Sequence, residues 1–151
     1  MIAALASAGL LTVLAATLAT SPTAEALKYK GVTREFWVFN QELNNIDENK
    51  TSLPADVFTP ETIVVKRGDT VSIYFFNTET DPDDQHSFTI YDKPYDKVDK
   101  VLKGGESGDI SFVATKTGIF TYECKFHQPT MRGQLIVEAP TLDELRASSS
   151  P

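Results

Sequence analysis

"GIFTYECKFHQPTMRGQLIVE", residues 118–138, decides how this chain is read. Two runs of alternating apolar and polar residues flank a turn-forming loop that carries Cys124, His127 and Met131 in a C-x2-H-x3-M pattern. Side chains alternate across a strand, so Phe120, Tyr122 and Cys124 share one face while Thr121 and Glu123 point away. The thiol is thus expected at a strand end, on an apolar inward face. His127 follows three residues on, within reach of a tight turn, and Met131 returns from the far side of the loop just before the strand beginning at Gly133. Pro129 stiffens the loop and removes one backbone N–H donor from it. Upstream, "HSFTIYD" (86–92) reads as another strand with His86, Phe88 and Ile90 on one face, and His86 is expected to tie two sheets together at the same point.

Apart from the start residue Met1, these four residues are all the soft donors in the chain: one cysteine, two histidines and Met131. Taken singly, each has an ordinary reading as a core or surface residue, and a lone cysteine is commonly a buried inert thiol. Jointly, two imidazoles, a thiolate and a thioether form the donor set of a mononuclear copper site that serves both Cu(I) and Cu(II). One cysteine with two histidines also suits zinc, but the thioether and the lack of paired CxxC motifs favour copper.

The rest of the chain reads as strands and turns. "TREFWVFN" (33–40) is aromatic and β-rich, and "NQELNNIDENKTSLPAD" (40–56) is polar, a long loop or ragged hairpin. "ETIVVKRGDTVSIYFFNT" (61–78) is two strands joined at "KRGD", with Gly68 giving turn freedom and Val71, Ile73 and Phe75 sharing a face. "YDKPYDKVDKVLKGGESG" (91–108) is charged and turn-rich around one short apolar segment, "DISFVAT" (109–115) is a strand, and "TLDELRASSSP" (141–151) is a short helical turn or frayed tail. Short strands broken by Gly, Pro and Asp predict an all-β, antiparallel sandwich or barrel, and no amphipathic pattern of helical period runs through it.

Residues 2–20 are uncharged and rich in Ala and Leu, and Ala24-Glu25-Ala26 has the form of a signal-peptidase site. The expected organisation is a signal peptide or membrane-anchor helix at 1–26, an N-terminal strand and extended arm at 27–57, a sandwich domain at 58–139 and a tail at 140–151. The run is near the roughly 20 residues that span a bilayer, so cleaved signal and retained anchor are both consistent with it. Either places residues 27 onward outside the cytoplasm, periplasmic or at the cell surface. A lone cysteine cannot form an internal disulfide, and in an oxidising compartment a metal bond would protect it. Asn49-Lys50-Thr51 fits a glycosylation sequon. From residue 27 on there are 14 basic and 20 acidic residues, a net charge of −6, which argues against nucleic acid and anionic lipid surfaces.

The segments "PETIVVKRGDTVSIYFFNT", "HSFTIYD" and "GIFTYECKFHQPTMRGQLIVE" resemble the cupredoxins, the small blue copper proteins, over about residues 58–139. That resemblance implies a Greek-key sandwich, one copper ion held by His86, Cys124, His127 and Met131, and one-electron transfer with protein partners such as a cytochrome, an oxidase or another copper protein. The three residues between His127 and Met131 fall between the four of plastocyanin and the two of amicyanin. The N-terminal layout is also similar to nitrosocyanin, which has a carboxylate where this chain has His86. The leading expectation is therefore an exported electron carrier, not an enzyme. The alternative is a nitrosocyanin-like protein acting on a small ligand such as nitric oxide at an open copper position. The edge of His127, with Phe126 and Pro129 beside it, is the expected electron port. Glu79, Asp81, Asp83 and Asp84 lie near the first ligand and would steer a basic partner, or simply solvate a loop.

Overall fold

The computed structural model describes residues 27–149. The expected signal or anchor segment, 1–26, lies outside the described residues. Among the described residues no helix is long and apolar enough to cross a membrane. Nine strands are found there: β1 (Thr33–Glu42), β2 (Asp56–Thr59), β3 (Thr62–Lys66), β4 (Thr70–Phe76), β5 (His86–Ile90), β6 (Asp99–Leu102), β7 (Ser107–Val113), β8 (Gly118–Glu123) and β9 (Arg132–Glu138). They form two sheets, ordered β2-β1-β4-β7 and β3-β9-β8-β5-β6, packed face to face as a sandwich.

Period-two burial builds the interior. Val71, Ile73 and Phe75 of β4 are buried, as are Phe120 and Tyr122 of β8 and Leu135 and Val137 of β9. Between the sheets, Phe58, Phe75, Phe88 and Tyr122 form an aromatic cluster in which Tyr122 stacks on Phe88 at 4.5 Å and meets Phe58 edge-on at 5.0 Å. Each such ring contributes about 1.5–3 kcal/mol through burial. Gly133 lies opposite Tyr122 in the β8–β9 ladder, and a Cβ there would overlap the Tyr122 ring, so only glycine fits beneath it. Strand β5 departs from alternation because all five of its residues are buried. Ser87 and Thr89, on its second face, are covered by a chain of hydrogen bonds: Lys125 N–H to Ser87 Oγ (2.9 Å), Ser87 Oγ with Thr89 Oγ1 (3.0 Å) and Thr89 Oγ1 to Asp99 Oδ1 (3.0 Å).

The "KRGD" turn joins strands of different sheets: β3 lies at the edge of one and β4 in the middle of the other. Gly68 has φ 107, a left-handed value that L residues rarely adopt. Next to it, the fully buried Asp69 carboxylate accepts from Tyr29 Oη (2.7 Å), Val32 N (3.0 Å), Lys66 N (3.0 Å) and Arg34 Nε (3.3 Å). It thereby fastens the segment entering β1 to the β3–β4 crossing. Burial alone would raise its pKa, but the donors from Val32, Lys66, Tyr29 and Arg34 together hold it below the ordinary carboxylate value.

One expectation is corrected and others gain detail. The sandwich is not purely antiparallel: β1 runs parallel to β4 and β3 parallel to β9. Parallel neighbours need a long crossover. Here the path from Glu42 to Thr70 supplies it by passing through β2 in one sheet and β3 in the other. The polar 40–56 stretch contains one helical turn, α1 (Glu48–Thr51), before β2 returns antiparallel to β1. The charged 91–108 segment contains β6, which pairs with β5. The C-terminal segment forms α2 (Leu142–Ser148), started by a capping box between Thr141 and Glu144.

Candidate metal centre

Strand β8 ends at Glu123, and Cys124 opens the loop that returns as β9. The loop is closed by its own backbone: Cys124 N–H donates to the Met131 carbonyl at 3.0 Å, and Met131 N–H donates to the His127 carbonyl at 2.9 Å. Gln128 Nε2 donates to the Cys124 carbonyl at 2.6 Å. These bonds fold the eight residues from Cys124 to Met131 over the strand ends. His86 is the first residue of β5, and β5 pairs with β8 through Thr89–Glu123 and Ile90–Tyr122. Contrary to expectation, His86 does not join the two sheets, because both ligand-bearing strands belong to one sheet. The group that reaches across from the other sheet is the carboxylate of Asp56, at the start of β2.

Cys124 Sγ lies 3.5 Å from His127 Nδ1 and 3.8 Å from His86 Nδ1. The ligating atoms of the three residues are all within 4.8 Å of one another. Cys124 and His86 are fully buried, and the His127 side chain is 19% exposed. Met131 is fully buried in the same apolar cluster as Cys124, held by the two backbone bonds that close the loop. The structure therefore brings His86, Cys124 and His127 together around one point, with Met131 folded in beside the thiol strand.

Electrostatics prepare the sulfur for a cation. Burial would push the thiol pKa up. Hydrogen bonding from His127 and His86 and from the backbone N–H groups of Ser87 and Phe126, each 3.4 Å from Sγ, brings it down to about 6. The partner effect raises His127 through its bond to Cys124, against burial, with Asp56 and Asp84 adding to the rise. The sulfur is thus a thiolate at neutral pH, the form that ligates metals. With both Nδ1 atoms facing it, the donor set fits a single borderline-soft ion such as copper. Two backbone amides reach the sulfur, one of them from Ser87 on the neighbouring strand. Amide donors to a ligand sulfur favour the reduced metal.

Beyond the imidazoles lies an acidic surface. The Nε2 of His86 is 3.5 Å from Asp56 Oδ1 and 3.8 Å from Glu79 Oε1, and the Nε2 of His127 is 3.8 Å from Asp56 Oδ2 and 3.9 Å from Asp84 Oδ1. A cleft of about 550 Å³ is lined here by Glu42, Glu48, Asp56, Glu79, Asp84 and His127. Of the acids expected near the first ligand, Glu79 and Asp84 reach the imidazoles. Asp81 instead accepts from the Asp83 backbone N–H within its own exposed loop. Buried Asn77 shapes that loop by donating to the carbonyls of Asp84 (2.8 Å) and Leu102 (3.2 Å). Two site residues escape a reading of the sequence. Ser87 is one position from His86 but faces the other way, and Asp56 closes a polar stretch whose pairing with β1 has no sequence signature.

A family model described as Cupredoxin-like domain matches residues 10–137. Among solved structures, the chain is similar to sodium-dithionite-reduced auracyanin from the photosynthetic bacterium Roseiflexus castenholzii, at 20% identity and a TM-score of 0.52, covering 73% of this chain and 100% of that one. It is similar to the copper nitrite reductase of Nitrosomonas europaea at 24% identity and a TM-score of 0.54, covering 79% of this chain and 44% of that one. A laccase from Botrytis aclada matches at 21% identity and a TM-score of 0.55, covering 74% of this chain and 23% of that one. Identities this low establish a shared fold, and the chain spans less than half the length of either enzyme. No curated protein sequence matches the chain.

Proposed function

This chain belongs to the cupredoxin-like domain family, and on that basis we propose that it is an exported mononuclear type 1 copper protein carrying single electrons between redox partners. The observation that carries this reading is the convergence of one thiolate sulfur and two imidazole Nδ1 atoms within 4.8 Å, with a buried Met131 on the same loop. The residues that would hold the ion are His86, Cys124, His127 and Met131, and copper bound there would supply a Cu(I)/Cu(II) couple. The chain's own contribution is rigidity. Backbone bonds fix the ligand loop, β5 and β8 are paired, and the aromatic cluster packs beneath them, so the donors keep one arrangement whichever charge they face.

Electrons would pass at the His127 side of the site, where that ring is partly exposed and Phe126 is 48% exposed. The carboxylates of Glu42, Glu48, Asp56, Glu79 and Asp84 around the cleft would favour a partner with a basic docking face. Export is supported by the uncharged run at 2–20 and by a lone cysteine placed where a metal would protect it.

The reading is tested by voltammetry of the copper-loaded protein, repeated with azide and with nitric oxide. An electron carrier gives a reversible one-electron wave that neither ligand alters. A shifted potential and a changed visible spectrum would instead favour a protein acting on a small ligand at an open metal position, which the cleft beside His127 would admit. Met131→Leu is expected to keep the colour and raise the potential, because a thioether donor stabilises Cu(II) more than a methyl group can. An unchanged potential and spectrum would remove Met131 from the ligand set.

A further inference from the structure

We propose that Asp56 is a positioning residue for the metal centre: its single carboxylate spans the outer edges of both ligand imidazoles, one oxygen to each ring, and holds both Nδ1 atoms toward the Cys124 sulfur. The inference rests on the copper reading of the site given above. Asp56 Oδ1 lies 3.5 Å from His86 Nε2 and Asp56 Oδ2 lies 3.8 Å from His127 Nε2. The two rings are 4.5 Å apart at an interplanar angle of 43°, so one carboxylate can face both. His86 Nε2 is buried and has no hydrogen-bond partner. With a metal on Nδ1 the ring proton sits on Nε2, and a buried N–H left without an acceptor is costly.

The other carboxylates are worse placed for this task. Glu79 Oε1 is 3.8 Å from His86 Nε2 and already accepts from Asn40 Nδ2 at 2.5 Å. Asp84 faces only His127, at 3.9 Å, and its side chain is 47% exposed. Asp56 is 13% exposed, and its backbone is fixed by pairing with Glu42 in the sheet opposite the ligand strands. Among the described residues it is the one carboxylate set against both rings.

When Nδ1 binds a metal, the Nε2–H becomes a stronger donor, and a movement of less than about 1 Å brings both separations into the hydrogen-bond range. A carboxylate on the outer N–H fixes the tautomer, orients the ring and makes it a more basic ligand. Doing this for two ligands at once favours Cu(II) over Cu(I), opposite in sign to the two amides that reach the sulfur. The device also couples the sheets: β2 of one positions ligands carried by the other.

The test compares wild type, Asp56→Asn and Asp84→Asn, each as the full chain loaded with copper. Asp56→Asn is expected to lower Cu(II) affinity relative to Cu(I) by about tenfold. That reads as a rise of about 59 mV in the one-electron potential. Asp84→Asn, which removes the same charge from a more exposed place, is expected to move the potential by less than a third as much. Equal shifts in the two variants, or no shift in Asp56→Asn, would overturn the clamp. Should Asp56→Asn not fold, nitrogen-15 NMR of the wild-type Cu(I) form decides. Downfield, exchange-protected Nε2–H signals from both imidazoles support the clamp, and rapid exchange of both refutes it. A wild type that takes up no copper overturns the copper reading itself, and the clamp with it, whereas a coloured wild type with an unmoved Asp56→Asn potential overturns the clamp alone.

Discussion

Cys124→Ser is expected to abolish the visible band of the copper-loaded protein completely while leaving the sandwich folded. The band expected of such a site arises from charge transfer between a thiolate and Cu(II), and a serine hydroxyl is not ionised at neutral pH. The wild-type sulfur, with a pKa of about 6, is. The replacement oxygen can still accept from the Ser87 and Phe126 amides that now face the sulfur. The fold cost is therefore that of exchanging one buried hydrogen-bonded group for another, on the order of 1–2 kcal/mol. Absorption and circular dichroism of the loaded variant read both effects together. A band of undiminished strength would mean that the sulfur is not a ligand.

The largest effect on stability is expected at Asp69. Asp69→Ala leaves the donors of Tyr29, Val32, Arg34 and Lys66 without their shared acceptor at a fully buried position. Each donor left without an acceptor there costs about 1–3 kcal/mol. That is a large share of the roughly 5–15 kcal/mol that holds a domain together. Urea unfolding of the metal-free protein measures the loss, and Asp69→Asn should lose less because one acceptor oxygen remains. The pH dependence has a definite sign. The folded-state pKa of Asp69 lies below its ordinary value. Its contribution is therefore fully present above about pH 4, the unfolded pKa, and is lost as pH falls through the lower folded value. The acid limb of the stability curve should be shallower in Asp69→Asn than in wild type. A variant as stable as wild type, with the same acid limb, would show that the network contributes nothing.

Much of this architecture is legible from residue order because its signals are local. Strand alternation in "TVSIYFF" and "GIFTYEC" follows from a pleat with one face buried, and Val71, Ile73, Phe75, Phe120 and Tyr122 all lie inward. The spacing from Cys124 to His127 to Met131 is equally local, since one tight loop carries all three. What is not legible depends on partners distant in sequence. The parallel pairing of β1 with β4 is decided by which strand enters each sheet first, and alternation carries no direction. Strand β6 hides in a charged segment because Asp99 and Lys100 are tolerated at an edge. Ser87 and Thr89 sit on the second face of β5, where the polar pattern reads as solvent-facing. They are instead buried because Lys125 and Asp99 close over them. Asp56 meets His86 only because the sheets face each other.

Copper-edge X-ray absorption of the protein loaded with one equivalent of copper counts the donors around the ion. The expected first shell is two imidazole nitrogens and one short sulfur, from His86, His127 and Cys124. A shell of oxygen and nitrogen alone, with no sulfur at bonding distance, would contradict a copper centre built on these residues.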